Sequence, residues 1–400
     1  MISQFAASDL ERTQSSRADT VQLGILPAVP QDQSRNLDFL RASAVLFVLA
    51  AHLLAFHNHL ASFSHHLGLY GVLLFFIHTS LVLLDSLRRQ AEKTGDRRLF
   101  ARFMTRRGFR IYPASAAVVS VVWLFRLPVA FVHPGFFSAS RMTISELVTN
   151  LLLVQNVART ESILGTLWSL PYEMNMYLLL PALYAFAKKQ RTSKNLALLT
   201  LAIACAQYGL VAWRGQIPGL MYYVPFMLLG AVVFTRRGTV RPNMPFVTLP
   251  LVLAVAFGAL CAKALYGLEL GICLMIALAI PHITELREGR LSRLAHTIAK
   301  YSYGLYLLHF LAMWMAFQAF RQVPAALQWA SFVLLLTGST LLLFHYLEDP
   351  MIRLGRWITE RPRGQCSTTS VYQQSRSIAS LPVPPAIGQA ASPLVNLPPS

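Results

Sequence analysis

Ten stretches of roughly twenty apolar residues, separated by short connections, dominate this chain. A helix of about 20 apolar residues spans the hydrocarbon core of a bilayer. The stretches cover 38–58, 69–87, 111–132, 171–187, 195–213, 220–235, 246–264, 267–283, 301–320 and 326–347. Only 13% of the 400 residues are charged, and 55% are hydrophobic. Soluble domains carry about 25% charged residues. The expected fold is therefore all-α, a polytopic integral membrane protein with about ten transmembrane helices.

The formal net charge of +18 would suit nucleic acid, but its distribution excludes that partner. Basic residues gather at alternate connections, as the positive-inside rule requires of cytoplasmic loops. These are "RRQAEKTGDRRLFARFMTRRGFR", "KKQRTSK", "RRGTVR", "ELREGRLSRLAHTIAK" and, after the last stretch, "RLGRWITERPR". The intervening "HNHLASFSHHLG" and "YGLEL" carry almost none. No basic stretch is interleaved with aromatics for stacking bases. An even number of spans then places both termini in the cytoplasm. "ISELVTNLLLVQNV" is short and polar, and reads as a re-entrant or interfacial helix on the outer side. Residues 1–34 lack the apolar core of a signal peptide and read as a disordered cytoplasmic leader. A membrane domain over 35–355 follows, then a disordered cytoplasmic tail over 356–400, rich in Ser, Pro and Gln. Cys205, Cys261, Cys273 and Cys366 have no zinc or disulfide spacing, so no metal is expected.

Within the apolar stretches stand groups that cost about 2.5–3.5 kcal/mol each to insert when charged. Arg41 and His52 lie eleven residues apart in the first stretch. That is close to three helical turns, so both project from one face, ~16 Å apart along the axis. Arg107 and Arg110, three apart, share a face at the cytoplasmic mouth of the third stretch and suit a phosphate ligand. Arg106 reads as a positive-inside anchor. "LWSLPYEMNMYLLLP" places Glu173 at the outer mouth of the fourth, near Trp168, Tyr172 and Tyr177. His309 lies inside the ninth, and Glu348 ends the tenth.

Taken together these motifs resemble the acyltransferase-3 family of polytopic membrane O-acyltransferases, over about Arg35–Arg353. "LRASAVLFVLAAH" is similar to its first-span arginine, ten residues, then histidine. "RRGFRIYP" is similar to its paired-arginine motif. Trp168, Ser169, Leu170, Glu173, Tyr177 and Pro181 follow its fourth-span signature, and "YSYGLYLLH" and "LEDP" its late motifs. One departure stands in "FFIHTSLVLL": Thr79 and Ser80 replace the usual serine-glycine, and His78 an apolar residue. It argues against tight helix packing there and points to a retuned acceptor site.

The resemblance implies a bacterial inner-membrane enzyme using acyl-CoA, usually acetyl-CoA, as donor substrate, with no permanently bound cofactor. The acceptor would be a hydroxyl of an extracytoplasmic or lipid-linked carbohydrate: surface polysaccharide, O-antigen or a lipo-oligosaccharide such as a Nod factor. His52 suits the general base of a direct transfer or the carrier of a transient acyl-histidine, with Arg41 and Glu173 as further catalytic candidates. Arg107 and Arg110 would bind CoA at the cytoplasmic mouth. Trp168, Tyr177, His309 and Glu348 are candidates for substrate binding, and Glu173 on the outer side suits the sugar or would orient a histidine. A transporter or flippase of a glycan or anionic solute also fits ten spans with midplane charges, but no internal repeat is visible. A membrane scaffold would leave His52, Glu173 and His309 unexplained, and the large outer loops of a glycan polymerase are missing.

Overall fold

The computed structural model describes residues 34–57, 61–95, 97–133, 135–139, 142–189, 193–214, 219–237, 239–262 and 268–360. The expected leader before Ser34 and the tail beyond Glu360 lie outside these residues. The described chain is mostly helical, with one two-stranded hairpin. In order it forms α1 (Arg35–Phe56), α2 (Ala61–Thr94), α3 (Leu99–Leu124), β1 (Ala130–His133), β2 (Phe136–Ser138), α4 (Ile144–Leu151), α5 (Gln155–Ala158), α6 (Leu170–Lys189), α7 (Ser193–Arg214) and α8 (Gly219–Arg236). Then follow α9 (Thr248–Ala262), α10 (Leu268–Ala279), α11 (Arg290–Met313), α12 (Ala325–Leu343) and α13 (Asp349–Glu360). α11 and α12 each run on into a wider π-helical segment, Trp314–Ala319 and Phe344–Glu348. A first compact unit ends at Arg356; of the second, only Trp357–Glu360 is described.

Each of the ten apolar stretches is helical over most of its described residues. Among the described residues, four helical stretches are long and apolar enough to cross a membrane: Arg35–Phe56, Ser62–Lys93, Lys194–Val211 and Ala325–Glu360. Met221–Arg236, Thr248–Ala262 and Leu268–His282 are shorter apolar helices. Boundaries differ from the hydropathy reading in instructive places. The third helix begins twelve residues early, inside the arginine-rich loop, and turns Arg110 toward the cavity it shares with Arg41. It stops at Leu124 rather than 132, where Arg126 adopts a left-handed φ of 50° ahead of Pro128. The short segment expected on the outer side forms two helices, α4 and α5, broken by Leu153 at φ 54°. α13 runs to Glu360, five residues into the expected tail.

One end of the bundle is basic and tightly knit. The first backbone N–H groups of a helix need acceptors and favour negative charge. Glu285 supplies both: its carboxylate accepts from the Asn36 N–H (3.1 Å) and the Ser34 hydroxyl (2.7 Å). Asn36, buried, bonds back to the Thr284 carbonyl and the Leu286 N–H. Arg237 reaches Asp85 near the end of α2 and Glu285. At the opposite end the Gln318 amide pairs with the Phe137 backbone at 2.6 and 2.9 Å, clamping the hairpin to the end of α11. Phe56, Phe137, Phe310 and Phe317 pack ring to ring beneath it.

The expectation of loose packing around Thr79 and Ser80 is overturned. Ser80 is fully buried and its hydroxyl donates to the Met227 carbonyl of α8 at 2.7 Å. Facing it, Gly230 lies so close to α2 that a Cβ there would sit 2.5 Å from the Ile77 carbonyl and 2.7 Å from the Ser80 Cβ. The glycine that permits close approach stands on α8 instead of α2.

Candidate active site

Two polar stripes meet along α1 and α11. Asp38 contacts His296 (2.8 Å), Arg41 Nε donates to Ser302 Oγ (2.6 Å), and His52 Nδ1 meets His309 Nε2 at 2.9 Å. The contacts ascend together on both helices, so the pair runs parallel. On α11, Ser302, Tyr306 and His309 fall at helical i, i+4 and i+7 spacing, which places them on one face.

The hydrogen bonds fix the tautomers. A carbonyl oxygen only accepts. His309 Nδ1 lies 2.9 Å from the Tyr306 carbonyl, one turn back, and therefore carries the hydrogen. With both rings neutral, His309 Nε2 is an acceptor, so His52 Nδ1 must donate to it. His52 also hydrogen-bonds the Val48 backbone one turn back. His52 Nε2 is left with the free lone pair. The Phe310 ring packs edge-on against His52, with centroids 4.7 Å apart, and fixes its plane.

His52 lines two cavities. The first, about 470 Å³, is mainly apolar: Val48, Ala51, Gly68, Leu69 and Val72 form its walls with Trp168 and Tyr223. The second, about 560 Å³, lies between His52, Phe310, the hairpin and the loop carrying Glu161 and Ser162. A third, tighter cavity of about 70 Å³ holds Arg41, Arg110, Glu173, Tyr177 and Ser302. It shares Val72 and Tyr306 with the first cavity of His52, so these two side chains form the wall between them. The Tyr306 hydroxyl donates to the Thr166 carbonyl (2.8 Å) and accepts from Ser169 Oγ (2.6 Å). That ties the wall to the Trp168–Ser169–Leu170 turn.

The small cavity is strongly charged. Arg41 interacts electrostatically with Arg110, Glu173, Tyr177 and Glu348, and Arg107 with Arg110, Tyr177, Glu173 and Arg41. Tyr177 donates to Glu173, one turn along α6. The Tyr303 hydroxyl holds α3 against α11 through the Ile111 carbonyl at 2.9 Å, next to Arg110. Arg107 stacks its guanidinium over Phe103 and has a buried Nε with no hydrogen-bond partner. Glu348, delivered inward by the π-helical segment, is 1% exposed, and neither carboxylate oxygen has a hydrogen-bond partner. Three guanidiniums thus face two carboxylates, leaving one formal positive charge in a buried site.

Several expected placements change. Glu173 is not across the bundle from the arginines on a separate sugar side. It stands inside the arginine cavity, because the first turn of α6 points back toward α3. Its carboxylate accepts from Tyr177, while the ring hydrogen-bonded to His52 is that of His309. Arg41 lines neither cavity of His52, since three turns of helix and the Tyr306 wall intervene. Tyr177 and Glu348 join the charged cluster, whereas Trp168 lines the apolar cavity beside His52. Tyr306, Ser302 and Ser169 stand in quoted motifs, and their helical spacing was the available signal for their roles. Among the described residues no group of three His, Cys, Asp or Glu could hold a metal ion.

Residues 34–345 match the family described as Acyl_transf_3, an acyltransferase domain. No curated protein and no solved structure matches the chain.

Proposed function

Because the chain belongs to the acyltransferase-3 family of membrane acyltransferases, we propose that it moves an acyl group, acetyl in the simplest case, from cytoplasmic acyl-CoA to a carbohydrate hydroxyl beyond the membrane. The ten helices cross the bacterial inner membrane with the basic end in the cytoplasm, following the arginine distribution. One observation carries the reading: His52 Nδ1 is bonded to His309, which leaves Nε2 as a base on a ring that lines two cavities.

Donor phosphates dock at Arg41, Arg107 and Arg110, where the surplus positive charge favours an anion and guanidinium forks match phosphate oxygens. Glu173 and Glu348 offset part of the arginines' charge electrostatically. The thin pantetheine arm passes Val72 and Tyr306 into the apolar cavity and brings the thioester to His52. A sugar hydroxyl attacks poorly at neutral pH unless its proton is removed. His52 Nε2 takes that proton as the oxygen bonds to the thioester carbonyl carbon. The carbon–sulfur bond then breaks, and the departing sulfur recovers the proton from Nε2. The ester and free CoA are the products. A positioned base of this kind is worth about 10²–10⁴ in rate.

Calorimetry of acyl-CoA binding to the purified protein tests the donor site. Losing a charged hydrogen bond costs about 1.5–3 kcal/mol, or roughly ten- to a hundredfold in affinity. Arg110→Ala and Arg107→Ala should each weaken binding by that much, and lysine should rescue only in part. Normal binding by the double alanine variant would refute this assignment.

A further inference from the structure

The cavity between His52, the hairpin and the 159–165 loop belongs to neither the charged cluster nor the apolar passage. Among the described residues it shares only His52 with the rest of the site. It also lies at the hairpin end, away from the basic end where the donor arrives. Its walls differ in kind from those of the apolar cavity: Ser138, Glu161 and Ser162 supply oxygens, Phe131 and Phe310 supply ring faces, and among the described residues no lysine or arginine lines it.

The loop that presents Glu161 is built with unusual care for a surface segment. Asn150, fully buried, accepts from the Ile163 N–H (3.0 Å) and donates to the Glu161 carbonyl (2.8 Å). Thr149 and Thr160 share a 2.6 Å hydrogen bond. α4, which carries Asn150, is itself fixed by a reciprocal cap between Thr143 and Glu146. Gly165 closes the loop against Phe310, where a Cβ would collide with the ring. These bonds hold the backbone of the loop across a cavity from the base.

Building on the acyltransferase reading above, we propose that this cavity is the acceptor subsite, and that Glu161 selects a neutral or amine-bearing sugar over an acidic one. A carboxylate accepts hydrogen bonds from sugar hydroxyls and stacking faces receive the apolar side of a pyranose. An acceptor bearing a uronate or phosphate would bring like charge to Glu161, and no described residue of the cavity wall is a lysine or arginine that would offset it. Glu161 is a binding residue; it takes no part in proton transfer.

The test uses full-length protein in proteoliposomes, radiolabelled acetyl-CoA, and envelope glycan from a strain lacking the gene, split by anion exchange into neutral and acidic pools. Label should enter the neutral pool. Glu161→Gln should raise KM for that pool about tenfold or more, the worth of a charged hydrogen bond, with kcat within a few-fold and acetyl-CoA binding unchanged. Label confined to the acidic pool, or wild-type KM in Glu161→Gln, would overturn the inference and leave the donor reading standing. Failure of the wild-type protein to bind acetyl-CoA would instead sink the donor reading.

Discussion

A histidine has two ring nitrogens, and the surroundings of His52 occupy only one. His309 is the residue that decides which. Its own Nδ1 is committed to the Tyr306 carbonyl, so its Nε2 presents a lone pair to His52 at 2.9 Å. This predicts a positioning role that differs from a merely structural one. His309→Ala should lower kcat by about ten- to a hundredfold, part of the 10²–10⁴ a positioned base supplies, while acyl-CoA affinity stays put. His309→Gln offers an amide oxygen to the His52 N–H and should recover part of the loss. Steady-state kinetics on both variants checks this; a wild-type kcat in His309→Ala would remove His309 from the mechanism. His52 and Arg41 were legible in the sequence because a charge inside an apolar run is conspicuous. The partnership of His52 with a residue 257 positions away was not, because helix periodicity says which face a residue shares and not which helix it meets.

Helix packing sets how those faces meet. α2 carries no glycine at the expected position, yet it lies close against α8 because Gly230 supplies the missing space. Gly230→Ala would gain about 1 kcal/mol in helix propensity. It would also push a methyl against the Ile77 carbonyl and the Ser80 side chain, and overpacking costs about 1–3 kcal/mol. The clash is with backbone, which cannot rotate away, so the loss should win. Thermal unfolding in detergent should show a lower midpoint, and an unchanged or raised midpoint would mean the helices can part freely. The existence of the helices was legible from hydropathy at every one of the ten stretches. Their ends were not: α2, α3 and α11 extend well into polar sequence, since spaced charged side chains sit comfortably on an exposed helix surface. The break at Leu153 and the π-helical segments have no compositional mark either. Glu173 was found as a candidate but misplaced, because a one-dimensional reading puts it at the start of its helix and cannot see that this turn faces Arg41 and Arg110.

The molecule as a whole reads as two approaches that converge on one ring. From the basic end, a charged cavity leads past Tyr306 to an apolar chamber; from the hairpin end, a polar cavity reaches the same histidine. Under the proposed function, a small, buried set of arginines and a distant histidine in one chain correspond to a donor whose charge and thioester are far apart, a separation spanned along α1. The proposed function also carries a direction: acyl-CoA arrives at the cytoplasmic face, and the acceptor is acylated beyond it. Sealed membrane vesicles of opposite orientation, given radiolabelled acetyl-CoA on their outer side, measure this most directly when wild-type and His52→Ala proteins are compared at equal insertion. The account predicts label in membrane glycan only for wild-type protein in inverted vesicles, where the cytoplasmic face meets the donor. Wild-type rates from His52→Ala in those same vesicles would contradict it.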